Sequence, residues 1–257
     1  MEVWVEGSGN TQTIGVRVFS DRLSAGVYTA AVQVTAANAI NSPQTFYVSL
    51  TVEDSASIST PYSGLIIWVA TTGSDTTGNG ARETPYKTID RALQAFTNGS
   101  QIRLLDGVYT PTSTIMISGI AGSIFSETPG GATIQPVQAT VQNAAIVVTN
   151  SDRFTVQGVN VLQASSSGHL VGIYAEDVTN FIANTCSIAD FDSPSGFTGI
   201  MAIGSGKIEN CTIEDISVTG GDSYCIQSTG IHVIDCTVRR VVNSGGGTSV
   251  GIDVSDS

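Results

Sequence analysis

The sequence predicts an all-β protein: a right-handed parallel β-helix with one N-terminal capping helix, preceded by part of a β-sandwich. Three observations predict it. First, N-T-C-S-I-A-D (184–190), E-N-C-T-I-E-D (209–215) and I-D-C-T-V-R-R (234–240) repeat one alternating pattern, with Cys186, Cys211 and Cys236 spaced 25 residues apart. Second, V-G-I-Y (171–174), T-G-I-M (198–201), Y-C-I-Q (224–227) and V-G-I-D (250–253) recur at intervals of 26 or 27 residues. Third, these stretches alternate with the period of strands and never with that of helices, and no L-x-x-L-x-L pattern occurs. Short strands separated by Gly, Ser, Asn and Asp turns, one coil per 25 residues or so, make a stacked β-solenoid.

The elements follow in order. Residues 1–53 alternate in a different texture: Ile14, Val16 and Val18, then Tyr28, Ala30, Val32 and Val34, then Phe46, Val48, Leu50 and Val52. With D-R-L-S-A-G-V-Y-T (21–29) between them, this segment resembles the C-terminal half of bacterial Ig-like modules, which carry L-x-A-G-x-Y before an alternating strand. Such a sandwich needs about seven strands, and about four fit, so a partial Ig-like β-sandwich is expected over 1–53. Residues 54–64, S-A-S-I-S-T-P-Y-S-G at their core, read as a linker.

The β-helix is expected over 65–257. It opens on W-V-A-T-T-G-S-D-T-T-G-N-G-A-R-E-T-P-Y-K-T-I-D-R-A-L-Q-A-F (68–96). Thr84 is placed to cap a helix near 84–97 with Pro85 at its first position, and Ile89, Ala92, Leu93 and Phe96 form its apolar face. Such a helix covers the open end of a solenoid. The strand Q-I-R-L-L-D (101–106) and G-V-Y-T follow. Residues 66–118 thus resemble the N-terminal cap of the pectate-lyase-like β-helix superfamily. That resemblance implies the fold; the superfamily holds polysaccharide lyases, hydrolases and epimerases together with non-catalytic surface proteins. The last coil, G-I-D-V-S-D-S, carries no capping pattern, so both ends are expected to be covered by residues elsewhere or by neighbouring copies.

In this fold equivalent residues of successive coils stack about 4.8 Å apart. Cys186, Cys211 and Cys236 are expected to form an inward ladder of free thiols, with Cys225 in a neighbouring one. A disulfide between adjacent coils is the alternative; zinc is disfavoured because there is no C-x-x-C and no flanking His. Ile173, Ile200, Ile226 and Ile252 form a second inward ladder, beside Gly172, Gly199, Cys225 and Gly251.

Composition limits the partners. The chain of 257 residues has 10 Lys plus Arg against 22 Asp plus Glu, a net charge of −12, which repels the phosphate backbone of nucleic acid. No run of about 18 apolar residues occurs to span a membrane, and Met1 is followed by E-V-W-V-E rather than by a secretion signal.

Chemistry is sparser. The stacked register puts Gln163, Asp190, Asp215 and Arg240 in one column and Ala189, Glu214 and Arg239 in the next. Carboxylates on adjacent rungs, about 5 Å apart, suit a calcium site or a glycosidase pair, so Asp190 and Asp215 are the calcium candidates and calcium is the cofactor they would admit. Arg240 would hold an acidic sugar bidentately. Against this stands a solvated polar ladder neutralised by arginine. A lyase of the resembled superfamily needs a basic residue, and Lys207 is the lysine of the coils; it also reads as a surface residue. His169 and His232 have no partner evident in the sequence. The serines lack a G-x-S-x-G setting, and the Gly-rich stretches are turns. The reading is an extracellular, non-catalytic surface or structural protein that self-associates head-to-tail. The alternative is a secreted, calcium-dependent polysaccharide lyase acting on acidic glycans.

Overall fold

The computed structural model describes residues 2–6, 13–17, 26–35, 42–52, 64–163 and 168–255. The chain separates into two compact units, Met1–Pro61 and Tyr62–Ser257. In the first, Glu2–Glu6 pairs antiparallel with Thr13–Arg17, and Gly26–Val34 pairs antiparallel with Gln44–Val52. The second pairing sets Tyr28 opposite Leu50, Ala30 opposite Val48 and Val32 opposite Phe46. Among the described residues these are two two-stranded sheets. The L-S-A part of the motif at 21–25 and most of the expected linker lie outside the described residues.

The second unit is a parallel β-helix, and alternation of side chains builds it. Three parallel sheets run along the axis. Sheet A holds Ile115–Ser118, Ala144–Ser151 and the first halves of Leu170–Asn184, Phe197–Glu209 and Ser223–Ile234, then Ser249–Ser255. Sheet B holds Ile66–Val69, Ser100–Leu104, Gly122–Ser126, Phe154–Gln157 and the second halves of the three long strands. Sheet C has six strands, one per coil, from Gly107–Tyr109 to Thr237–Asn243. Between B and C the chain turns through single left-handed residues, Thr185, Asn210 and Asp235, with φ of 54°, 54° and 49°. Asn and Asp tolerate that conformation better than most residues.

The isoleucine ladder stands as the sequence predicts and extends backwards: Ile115, Ile146, Ile173, Ile200, Ile226 and Ile252 are consecutive partners in sheet A. All but the last are buried to 0% exposure, each worth about 1.5–3 kcal/mol of apolar burial. Sheet B contributes Ile102, Ile124, Val156, Ala183 and Ile208, and sheet C contributes Ile134, Val161, Ile188 and Ile213.

The capping helix, α1, spans Ile89–Ala95 and starts later than the sequence suggests. Its N-cap is Thr88, whose hydroxyl accepts from Arg91 N–H at 3.1 Å. Thr84 and Pro85 are drawn elsewhere: Thr84 donates to Asn79 Oδ1 at 2.6 Å, and the Pro85 carbonyl accepts from Ser74 N–H at 3.1 Å. Asp75 fixes the true start, accepting from the Lys87 and Thr88 N–H groups and the Thr88 hydroxyl. Partial burial opposes ionisation of Asp75, yet these hydrogen bonds hold its pKa below the ordinary value. The expected apolar face is correct: Ile89, Ala92 and Phe96 are buried and Leu93 packs against the core. Phe96 seats over Gly122, where a Cβ would lie 2.2 Å from its ring. Glycine is needed there for that close approach. Phe96 then meets Phe154 at 6.3 Å between ring centres, so the helix plugs the phenylalanine column Phe154–Phe181 of sheet B.

Candidate functional site

The predicted acid–arginine column exists, on the outer side of sheet C. Ala189 pairs with Glu214 and Glu214 with Arg239, in the predicted register. Asp190, Asp215 and Arg240 occupy the next position in successive coils, where pairing skips them and each adopts left-handed φ, at 57°, 56° and 53°. Each therefore stands at a bend that the three coils share, with the register unchanged on either side. Arg240 grips Asp215 with both arms of its guanidinium, Nε at 2.5 Å from Oδ1 and Nη2 at 2.7 Å from Oδ2, and also bonds Glu214. Arg239 Nε lies 2.6 Å from the same Glu214 carboxylate. Arg239 beside Glu214, and Arg240 beside Asp215, hold both carboxyls below their ordinary pKa.

The arginine foreseen as a ligand for an acidic sugar is thus engaged with the protein's own acids. Asp190, one rung away, is exposed and its carboxylate makes no ion pair or hydrogen bond among the described residues. Gln163 binds the Asp192 backbone, accepting its N–H at 2.6 Å. Calcium takes six to eight oxygens, and among the described residues no group of three or more His, Cys, Asp or Glu is placed to hold a metal ion. Lys207 is not part of this column. It stands on the outer face of sheet B, between Ile182 and His232, with Nζ 2.8 Å from Glu209.

A second group of residues lies on the outer face of sheet A. Tyr174, Met201, Gln227 and Asp253 form one column, and Val171, Thr198, Tyr224 and Val250 form another. These are the fourth and first letters of the repeated tetrapeptides whose third letter is the isoleucine ladder. The outward letters vary from coil to coil, so the repeat that marks the isoleucines does not mark them. A third column carries Glu176, Ile203, Thr229 and Ser255. Val141, from the segment before Ala144, packs with Tyr174 and Val171 and covers the early coils of this face. The Tyr174 hydroxyl donates to Glu176 at 2.8 Å, and burial, reinforced by that carboxylate, pushes its pKa up to about 12. At the edge, half-buried His169 places Nε2 2.8 Å from the Thr198 hydroxyl. Burial lowers its pKa, with Asp222 pulling the other way. Gly196 makes room, since a Cβ there would sit 2.3 Å from His169 Nδ1.

No protein-family model matches this chain, and no curated protein matches it either. Solved structures do. A rhamnogalacturonan lyase superposes with a TM-score of 0.51 at 13% identity, over 75% of this chain and 62% of that one. A pectin methylesterase from Aspergillus niger gives a TM-score of 0.43 at 16% identity, over 76% and 85%. The PL6 family alginate lyase AlyGC gives 0.42 at 12%, over 76% and 39%. The likeness to the first establishes the parallel β-helix fold.

Proposed function

We propose that this protein is a polysaccharide-directed β-helix working outside the cell, and that the glycan lies along the outer face of sheet A. The observation that supports it best is the face itself. Beyond the part that Val141 covers, it exposes Met201, Tyr224, Gln227, Thr229 and Ser255 in straight columns, as an extended polar polymer requires. The β-helices it resembles include one named for lyase action on rhamnogalacturonan. Depolymerisation is the activity to test first. A panel of acidic and uncharged polysaccharides, assayed with calcium and again with a chelator, would show new reducing ends or unsaturated products. Loss of turnover on replacing Asp190 or Asp215 would assign the calcium-site role to sheet C.

One observation favours a binding role without bond cleavage: Lys207, Arg239 and Arg240 are each ion-paired to a carboxylate of the protein. On that second reading the chain is a surface or structural subunit that associates head-to-tail. Light scattering across a dilution series decides it: growth in mass with concentration supports the subunit reading, and a constant monomer removes it.

A further inference from the structure

Resting on the polysaccharide reading, we infer that the glycan held by sheet A is uncharged. The argument is a map of charge. The strands of sheet A and the turns leading into them carry no lysine or arginine at all. They carry Glu176, Asp177, Asp222 and Asp253 instead. The cations of the coils lie elsewhere: Arg103 and Lys207 on sheet B, Arg153 in the turn from A to B, Arg239 and Arg240 on sheet C. Lys207, Arg239 and Arg240 are also paired to Glu209, Glu214 and Asp215.

A polyuronate laid along sheet A would bring a negative charge past Glu176 and Asp253 with no counter-charge from the protein. Like charges a few ångströms apart repel strongly where solvent is partly excluded. The same face suits neutral sugars. Tyr224 and Met201 are partly exposed and offer apolar surface to a pyranose ring, while Gln227, Thr229, Glu176 and Asp253 offer donors and acceptors to hydroxyls. Carboxylate acceptors bind sugar hydroxyls well and bind sugar carboxylates badly. An uncharged substrate also decides the chemistry. β-Elimination needs the proton beside a uronate carboxyl, so a neutral chain can be bound or hydrolysed here and not cleaved by a lyase step.

The test is affinity electrophoresis in gels containing xyloglucan, galactan or arabinan on one side and polygalacturonate or alginate on the other, with chelator and with calcium. Retardation by at least one uncharged polymer is expected, insensitive to salt, with about tenfold weaker retardation by the polyuronates in chelator. Tyr224→Ala should abolish most of it. Gln227→Lys and Asp253→Lys provide the opposite readout, independent of any effect of the first variant on folding: added cations should gain polyuronate binding. Retardation by polyuronates alone, with chelator present, overturns the inference and leaves the polysaccharide reading standing. Polyuronate binding that appears only with calcium overturns it too, in favour of a bridged acidic glycan. Retardation by none of the polymers overturns both.

Discussion

Cys186, Cys211 and Cys236 stack inside sheet C, and three residues further along each coil Ala189, Glu214 and Arg239 stack outside it. Both columns have the same 25-residue period and the same rung spacing. Inside, the residue type is kept; outside, it changes from neutral to acid to base. An interior position presents every coil with the same space, bounded by the same carbonyls: each thiol donates to the carbonyl two residues before it and to one from the preceding coil. Identical residues satisfy that requirement without cost. An outer position meets water on one side and its own neighbours above and below, so identical charges would repel and opposite ones attract.

The sharpest way to break this contrast is to remove volume from the inside. Ile200→Ala deletes a fully buried side chain from the middle of the isoleucine ladder and should cost about 2–5 kcal/mol, read as a lowered urea midpoint at unchanged slope. An effect below about 1 kcal/mol would mean that coils slide to fill the gap, and the interior would not be as uniform as the ladder implies.

The cysteine column comes next. Cys211→Ser replaces a thiol at 0% exposure with a hydroxyl and should destabilise by about 1–3 kcal/mol. Labelling of the native protein with a thiol reagent should mark Cys236 first and leave Cys186, Cys211 and Cys225 until unfolding. The sequence placed all three column members equally inside, whereas Cys236 is partly exposed, since no further strand of the described residues lies over it. The contact with Cys186 and burial both push the Cys211 thiol up, which adds to its inertness. Labelling of Cys211 as fast as Cys236 would place the column outside.

What the sequence made legible follows the same division. The inward ladders, the coil length and the rung pairing of Ala189, Glu214 and Arg239 were readable because packing forces inward positions to repeat, and register then carries across the pleat to their neighbours. The outer columns of sheet A are not legible in that way, although they flank the same isoleucines, because nothing in their letters repeats. His169 and Thr198 lie 29 residues apart in neighbouring coils, a pairing that the tetrapeptide repeat does not announce. The helix start was missed for a similar reason: Thr84-Pro85 has the local chemistry of a cap, but Asp75, from the loop before it, organises Thr88 instead.

His169 sits between the two extremes, half-buried on an outer face. Its folded pKa lies below the ordinary histidine value, so the unfolded chain binds the extra proton first as pH falls. The stability this group contributes is present above about pH 6.5 and declines as pH drops through that value toward the folded pKa. Glu214 and Asp215 also have lowered pKa values, but their contribution persists until the ordinary carboxylate range is reached. Melting temperature against pH should therefore fall in two separate steps, and His169→Gln should remove the upper one alone. A single step, unchanged in the variant, would show that His169 titrates as freely as an exposed histidine.

The smallest effect should come from the outer charges themselves. In the Arg239–Glu214 pair the arginine side chain is 54% exposed and the glutamate 17%, so water and salt compete for both partners. Arg239→Ala should lower the melting temperature only slightly in dilute buffer and not at all in molar salt, where screening has already removed the attraction. Glu214→Gln should cost more than Arg239→Ala, because Glu214 is shared by Arg239 and Arg240, and losing it leaves two guanidinium groups on adjacent positions with Asp215 alone between them. The ordering matters more than the size. If removing Arg239 proved as damaging as removing Ile200, the outer column would be part of the architecture. If neither outer variant had an effect at any salt concentration, the pairing would be incidental, and the alternation of sign from coil to coil would need a cause other than stability, such as the steering of a ligand along sheet C.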